Sequence, residues 1–175
     1  IPDNASGTFI DGNIEVIYYY REVKTTVTVH HYLEGTTTKL TEDVIFDGVV
    51  GDNYTTGVGN VENKYELVAI PANANGKMTK TPIEVIYYYR LKNTSVLVHH
   101  YIEGTTTSLS KDVTINGKVD DAYNTTQATD IPSKYELVAE PANKAGTMTV
   151  EQTIVTYYYR LKETGVDVHY YKEGT

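Results

Sequence analysis

TTVTVHHYLEGTTTKL, Thr25–Leu40, alternates with a period of two. In an extended chain Val27, Val29, His31 and Leu33 share one face, and Thr28, His30 and Tyr32 share the other. Glu34-Gly35 then supplies turn chemistry. The same pattern returns as TSVLVHHYIEGTTTSL, Thr94–Leu109. A β-strand that recurs whole implies a repeated unit, and the period is the next thing to establish.

KYELVAIPANANGKMT, Lys64–Thr79, returns as KYELVAEPANKAGTMT, Lys134–Thr149. Tyr54 maps onto Tyr123 and Tyr65 onto Tyr135, so the period is 69 residues and becomes 70 after one insertion. That is too long for a solenoid turn and long enough for a small domain. IPDNASG at the start matches Ile70–Gly76, and GVDVHYYKEGT at the end matches the opening strands. The expected organisation is residues 1–23 as the last part of one repeat, full repeats over 24–92 and 93–162, and 163–175 as the start of another. The connection Arg90–Ser95 is short and has neither Gly nor Pro, so an extended rod is expected.

Within a repeat, the pattern predicts a second strand in part of Thr38–Ile45, ended by Asp47-Gly48. Gly51–Thr56 reads as a short helical turn, Tyr65–Ala69 as a strand stopped by Pro71, and Asn75-Gly76 as a turn. Ile83–Arg90 is the closing strand. The fold class is therefore mostly β, α+β at most, with four or five strands per repeat.

The closing strand carries three adjacent tyrosines. Ile83, Val85, Tyr87 and Tyr89 fall on its apolar face, and Glu84, Ile86, Tyr88 and Arg90 on the other. Tyr157 and Tyr159 against Tyr158 repeat the arrangement. Two tyrosines of each triplet are expected in the core, with their hydroxyls at a wet edge. The middle one is a surface candidate.

The chain has 175 residues, a net charge of −8, 17 Tyr, no Trp and no Cys. The acidity opposes nucleic-acid binding and attachment to anionic membranes. No apolar run has transmembrane length.

An opening V-x-V-x-Y-x-x-x-G-T, a central G-x-x-G-x-x-Y, a Y-E-L-V and a closing V-x-Y-x-Y resemble the mucin-binding-protein (MucBP) repeats of Gram-positive surface proteins. Here they are Val27–Thr36, Gly48–Tyr54, Tyr65–Val68 and Val85–Tyr89. The second copy keeps Gly117 and Tyr123 but has Asp120 in place of the second glycine, which argues against a left-handed turn there. The resemblance implies a β-grasp, ubiquitin-like unit with its first and last strands parallel and adjacent. It implies extracellular display on the cell surface, as part of a longer protein anchored to the cell wall through a region outside this one, and adhesion to host mucin or its glycans. It carries no fixed set of sugar-binding residues.

If first and last strands are neighbours, His30, Tyr32 and Tyr88 line the outer sheet face, as do His99, Tyr101 and Tyr158. Rings flanked by hydrogen-bonding groups suit a sugar. These six are the candidate ligand-binding residues; the alternative is that they only cover the sheet or pack at a junction between repeats. His30 and His31 point to opposite faces and cannot grip one ion together, so no metal and no cofactor are expected. Lys111 replaces Glu42 in the second copy, which argues against a shared calcium site at Glu42-Asp43. No nucleophile elbow or phosphate-cradling loop is present, so catalysis is not expected. The expected function is weak, multivalent glycan binding by a monomeric rod; the rival is a stalk that presents another domain and binds nothing.

Overall fold

The computed structural model describes residues 1–174. Thr175, the last residue of the expected final segment, lies outside the described residues. The chain divides into two compact units, Ile1–Val61 with Leu67–Arg90, and Glu62–Glu66 with Leu91 onward. Among the described residues there is no helix.

The strands of the first repeat are β1 (Lys24–Leu33), β2 (Val44–Val49), β3 (Asn53–Thr55), β4 (Tyr65–Leu67), β5 (Asn75–Lys77) and β6 (Ile83–Leu91). Its main sheet has the order β2-β1-β6-β4. β1 pairs antiparallel with β2 and parallel with β6, with Tyr32 opposite Tyr88 and His30 opposite Ile86. A parallel pair at the sheet centre requires a crossover, and β3 and β5 form an antiparallel ribbon within it.

The second repeat has the same plan. Its strands are β7 (Asn93–Ile102), β8 (Val113–Lys118), β9 (Ala122–Asn124), β10 (Tyr135–Leu137), β11 (Ala145–Thr147) and β12 (Thr153–Leu161). The sheet order is β10-β12-β7-β8, and β9 pairs with β11. The mostly-β expectation and the parallel first and last strands hold. The central parallel pair is that of a β-grasp sheet, with a short ribbon where such folds can carry a helix.

The core is the inner face of each sheet. Val27, Val29, Val85, Tyr87 and Tyr89 are buried in the first repeat. Val96, Val98, Met148, Val155, Tyr157 and Tyr159 form the cluster in the second, flanked by Leu109, Ile115, Tyr123, Ile131, Tyr135 and Leu137. Burying one large apolar side chain contributes roughly 1.5–3 kcal/mol. The β3–β5 ribbon lies on this face: the Thr56 hydroxyl meets the Tyr87 hydroxyl at 2.9 Å.

Four local expectations are corrected. The second strand lies at Val44–Val49, later than Thr38–Ile45, and Asp47-Gly48 is inside it. Gly48 is needed there because a Cβ would stand 2.5 Å from Met78 Sδ; it marks close packing, which reads the same as a turn glycine. Gly51–Thr56 is not a helical turn, since Asn53–Thr55 pairs with Asn75–Lys77, and Asn75-Gly76 is likewise strand. Tyr54 is drawn under Asn73, whose carbonyl accepts its hydroxyl proton at 3.1 Å. Finally, Asp120 has φ +73°, so the left-handed turn of Gly51 (φ +100°) is kept without glycine. Asp tolerates this region better than most residues, and Lys64 Nζ reaches its Oδ2 at 3.1 Å.

Residues 1–23 carry no strand, and Tyr19 and Tyr20 are 90% exposed. A closing strand of this type needs an opening strand beside it, and none of the described residues supplies one.

Candidate functional site

β1 and β6 place three of the candidate residues together on the outer sheet face. Tyr32 and Tyr88 are direct cross-strand neighbours. His30 stacks on Tyr32, with ring centroids 5.3 Å apart and planes 16° from parallel. The second repeat reproduces this: Tyr101 is opposite Tyr158, and His99 stacks on Tyr101 at 4.9 Å. Tyr88 is 39% and Tyr158 42% exposed. All six candidates therefore fall into two matching constellations.

The histidines are already engaged. His30 Nδ1 lies 2.9 Å from Asp43 Oδ1, and Lys39 Nζ lies 2.6 Å from Asp43 Oδ2. Lys39, then His30, hold the Asp43 carboxyl below the usual carboxylate range, and Asp43 raises Lys39. In the second repeat His99 Nδ1 lies 2.9 Å from Asp112 Oδ1 and 3.0 Å from the Tyr101 hydroxyl. Ser108 stands where the first repeat has Lys39, so this end of the face is less basic there. Asp43 and Asp112 hold the same place in both copies. That shared position was the signal for the His–Asp contact, and the Glu42/Lys111 difference beside it obscures it.

The face has a second end. After β1 and β7 the chain turns through Gly35 and Gly104, both at φ +73°. The Thr36 side chain donates to the Leu33 carbonyl at 2.9 Å and accepts the Thr38 N–H at 3.0 Å. Thr105 does the same with Ile102 and Thr107, both at 3.0 Å. The Glu34 and Glu103 N–H groups donate to the Tyr89 and Tyr159 carbonyls at 2.8 and 2.9 Å. The loop is thus tied to the end of the closing strand. In the second repeat Glu103, Gly104, Thr105, Thr106 and Tyr158 line an open hollow of about 700 Å³. Strand propensity explains these threonines in the sequence, and so conceals that they flank the exposed tyrosine.

The flanking tyrosines go inward, but their hydroxyls are not at a wet edge. The Gly59 N–H donates to the Tyr89 hydroxyl at 2.9 Å, and the same hydroxyl is hydrogen-bonded with His31 Nδ1 at 3.1 Å. His31 is buried. Desolvation lowers its pKa from the ordinary 6.5, opposed by Asp43 and assisted by His30. His100 and Tyr159 make the equivalent contact at 3.0 Å, and burial lowers His100 in the same way. Each adjacent histidine pair therefore divides into one outward and one core residue.

Internalin J of Listeria monocytogenes serovar 1/2a is 34% identical over 165 residues, which cover 90% of this chain and 19% of internalin J. Internalin I of the same organism is 26% identical over 159 residues, 89% of this chain and 8% of internalin I. The chain thus spans about a fifth or less of these relatives. Among solved structures, SHIRT domains 3-4 from a streptococcal cell surface protein align over 79% of this chain and 98% of theirs, with TM-score 0.37 and 11% identity. The type 2 repeat of the mucus binding protein MUB from Lactobacillus reuteri aligns over 79% and 100%, with TM-score 0.27 and 14% identity. The MucBP domain model matches residues 1–21, 26–90 and 95–160. On that match, the chain belongs to the MucBP domain family.

Proposed function

We propose that this chain is a non-catalytic adhesion module, displayed outside a Gram-positive cell as part of a longer surface protein, which binds mucin or related host glycans weakly and at more than one repeat. The binding repeats are residues 24–92 and 93–162, with parts of neighbouring repeats at 1–23 and 163–175. The observation that carries the reading is the duplicated outer face. Each repeat sets an exposed tyrosine beside a second tyrosine and a loop of hydroxyl groups. Family membership and the surface-protein relatives support the location. Two weak sites on one chain gain avidity on a polymeric ligand.

A stalk role is the second reading, and one observation favours it. His30 and His99 each have Nδ1 2.9 Å from a carboxylate of their own repeat, and His99 also meets the Tyr101 hydroxyl, as groups that only cover a sheet would.

The test is binding of the chain to immobilised mucin before and after enzymatic removal of glycans, beside a variant with His30→Ala, Tyr88→Ala, His99→Ala and Tyr158→Ala. Glycan-dependent binding that the folded variant loses supports adhesion through this face. Binding that it keeps moves the site elsewhere. No binding at high surface density leaves the stalk.

A further inference from the structure

We infer that the sugar contact of each repeat is the threonine-loop end of the outer face, the hollow at Tyr158, Glu103 and Thr106 in one repeat and the equivalent positions Tyr88, Glu34 and Thr37 in the other, and that it takes a neutral hexopyranoside in preference to an acidic one. The inference rests on the adhesive reading and narrows it to a subsite and a ligand class.

Three observations point to this end. First, the ring faces differ. Tyr32 and Tyr101 are each stacked on by a histidine. Among the described residues no ring stacks on Tyr88 or Tyr158, and both are substantially exposed. A free ring face is what the C–H side of a pyranose needs, because that side is apolar while the rim carries hydroxyls. Second, the loop is held before any ligand arrives. Thr36 and Thr105 spend their hydroxyls inside it, and the Glu34 and Glu103 N–H groups fasten it to β6 and β12. A loop already ordered costs little further entropy on binding. Thr37 and Thr106 are exposed beside it, with hydroxyls that make none of the loop's bonds. The hollow, about 700 Å³, is open to solvent, so a sugar would be held from one side.

Third, the charge selects. Glu103 lines the hollow, and Arg160, two residues along the closing strand from Tyr158, has its Nε 2.9 Å from Glu136 Oε1. Two carboxylates against one guanidinium leave local negative charge. A carboxylate accepts hydrogen bonds from sugar hydroxyls, which are donors. It repels the carboxylate of a sialic acid or a sulfate ester.

The experiment uses the whole chain, isotopically labelled, titrated with the neutral and the acidic fractions of glycans released from mucin and followed by its amide NMR signals. The neutral fraction is expected to move the signals of residues 34–38 and 103–107, and to bind about five- to tenfold more tightly than the acidic fraction. Tyr88→Ala with Tyr158→Ala is expected to abolish those shifts while the core signals stay in place. Glu34→Gln with Glu103→Gln, which leaves the backbone bonds intact, is expected to remove most of the preference and serves even where the tyrosine variants fold poorly. Acidic glycans binding equally well, or shifts centred on His30 and His99, overturn this inference and leave adhesion standing. No shift with either fraction overturns the inference and the adhesive reading together.

Discussion

His31 Nδ1 lies 3.1 Å from the Tyr89 hydroxyl, and the two residues, 58 positions apart, are both buried. The same hydroxyl accepts the Gly59 N–H, so one oxygen joins the closing strand, the histidine ring and the loop backbone. A buried neutral histidine at the centre of each repeat makes stability depend on pH.

The sign follows from the lowered pKa. Below 6.5 the unfolded chain takes up protons that folded His31 and His100 refuse, so the unfolded state binds more protons and stability falls as the pH is lowered. The loss begins near 6.5 and continues down to the depressed folded values. Urea unfolding at a series of pH values from 8 to 5 is expected to show a plateau above that point and a decline below it. His31→Gln with His100→Gln is expected to lower the plateau and flatten the decline. The Asp43 effect lies lower: its carboxyl is held below the usual 3.8, so its contribution is present above that value and is lost only as pH falls through the depressed pKa.

The three adjacent tyrosines are expected to respond differently to loss of one oxygen. Tyr89→Phe leaves the buried His31 Nδ1 and the half-buried Gly59 N–H without this partner and is expected to cost about 1–3 kcal/mol. Tyr159→Phe should behave alike. Tyr88→Phe and Tyr158→Phe remove an exposed hydroxyl and should stay within about 0.5 kcal/mol of the parent. Urea denaturation of the four single variants checks this.

Asp120 stands at φ +73° and is reached by Lys64. Asp120→Ala keeps the left-handed backbone, adds no local hydrogen bonding and loses the ion pair; a cost of about 1 kcal/mol is expected. Asp120→Gly relieves the backbone and should be close to neutral. The Lys64→Ala effect should shrink in high salt, since the pair is exposed. Thermal unfolding at low and high salt separates the two contributions.

Thr36 and Thr37 are neighbours with different tasks. Thr36→Val removes two hydrogen bonds that close the loop and is expected to cost about 1 kcal/mol. Thr37→Val is expected to leave stability unchanged and to weaken neutral-glycan binding, measured by the same NMR titration. Equal loss of stability in both variants would count against the division of labour argued for the loop.

Several features were legible without coordinates because they are local. Alternation with a period of two is a property of extended backbone, so the inward Val27, Val29 and His31 and the outward His30 and Tyr32 could be read directly. The same geometry separated Tyr88 from Tyr87 and Tyr89. The internal repeat and the family motifs then brought β1 beside β6, which put His30, Tyr32 and Tyr88 on one face.

What only the tertiary structure decided is non-local. Gly48 reads as a turn residue until Met78, thirty positions away, is packed against it. Asn53–Thr55 and Asn75–Lys77 are too short to declare themselves and become strands by pairing with each other. The hydroxyls of Tyr87 and Tyr89 find Thr56, Gly59 and His31, and Asp43 finds His30. The sequence by itself determined the repeat, the strand faces and the outward tyrosine, since backbone geometry and side-chain type suffice for these. The partners of buried polar atoms and the hollow beside Tyr158 were decided by the fold, since each depends on segments brought together from distant parts of the chain.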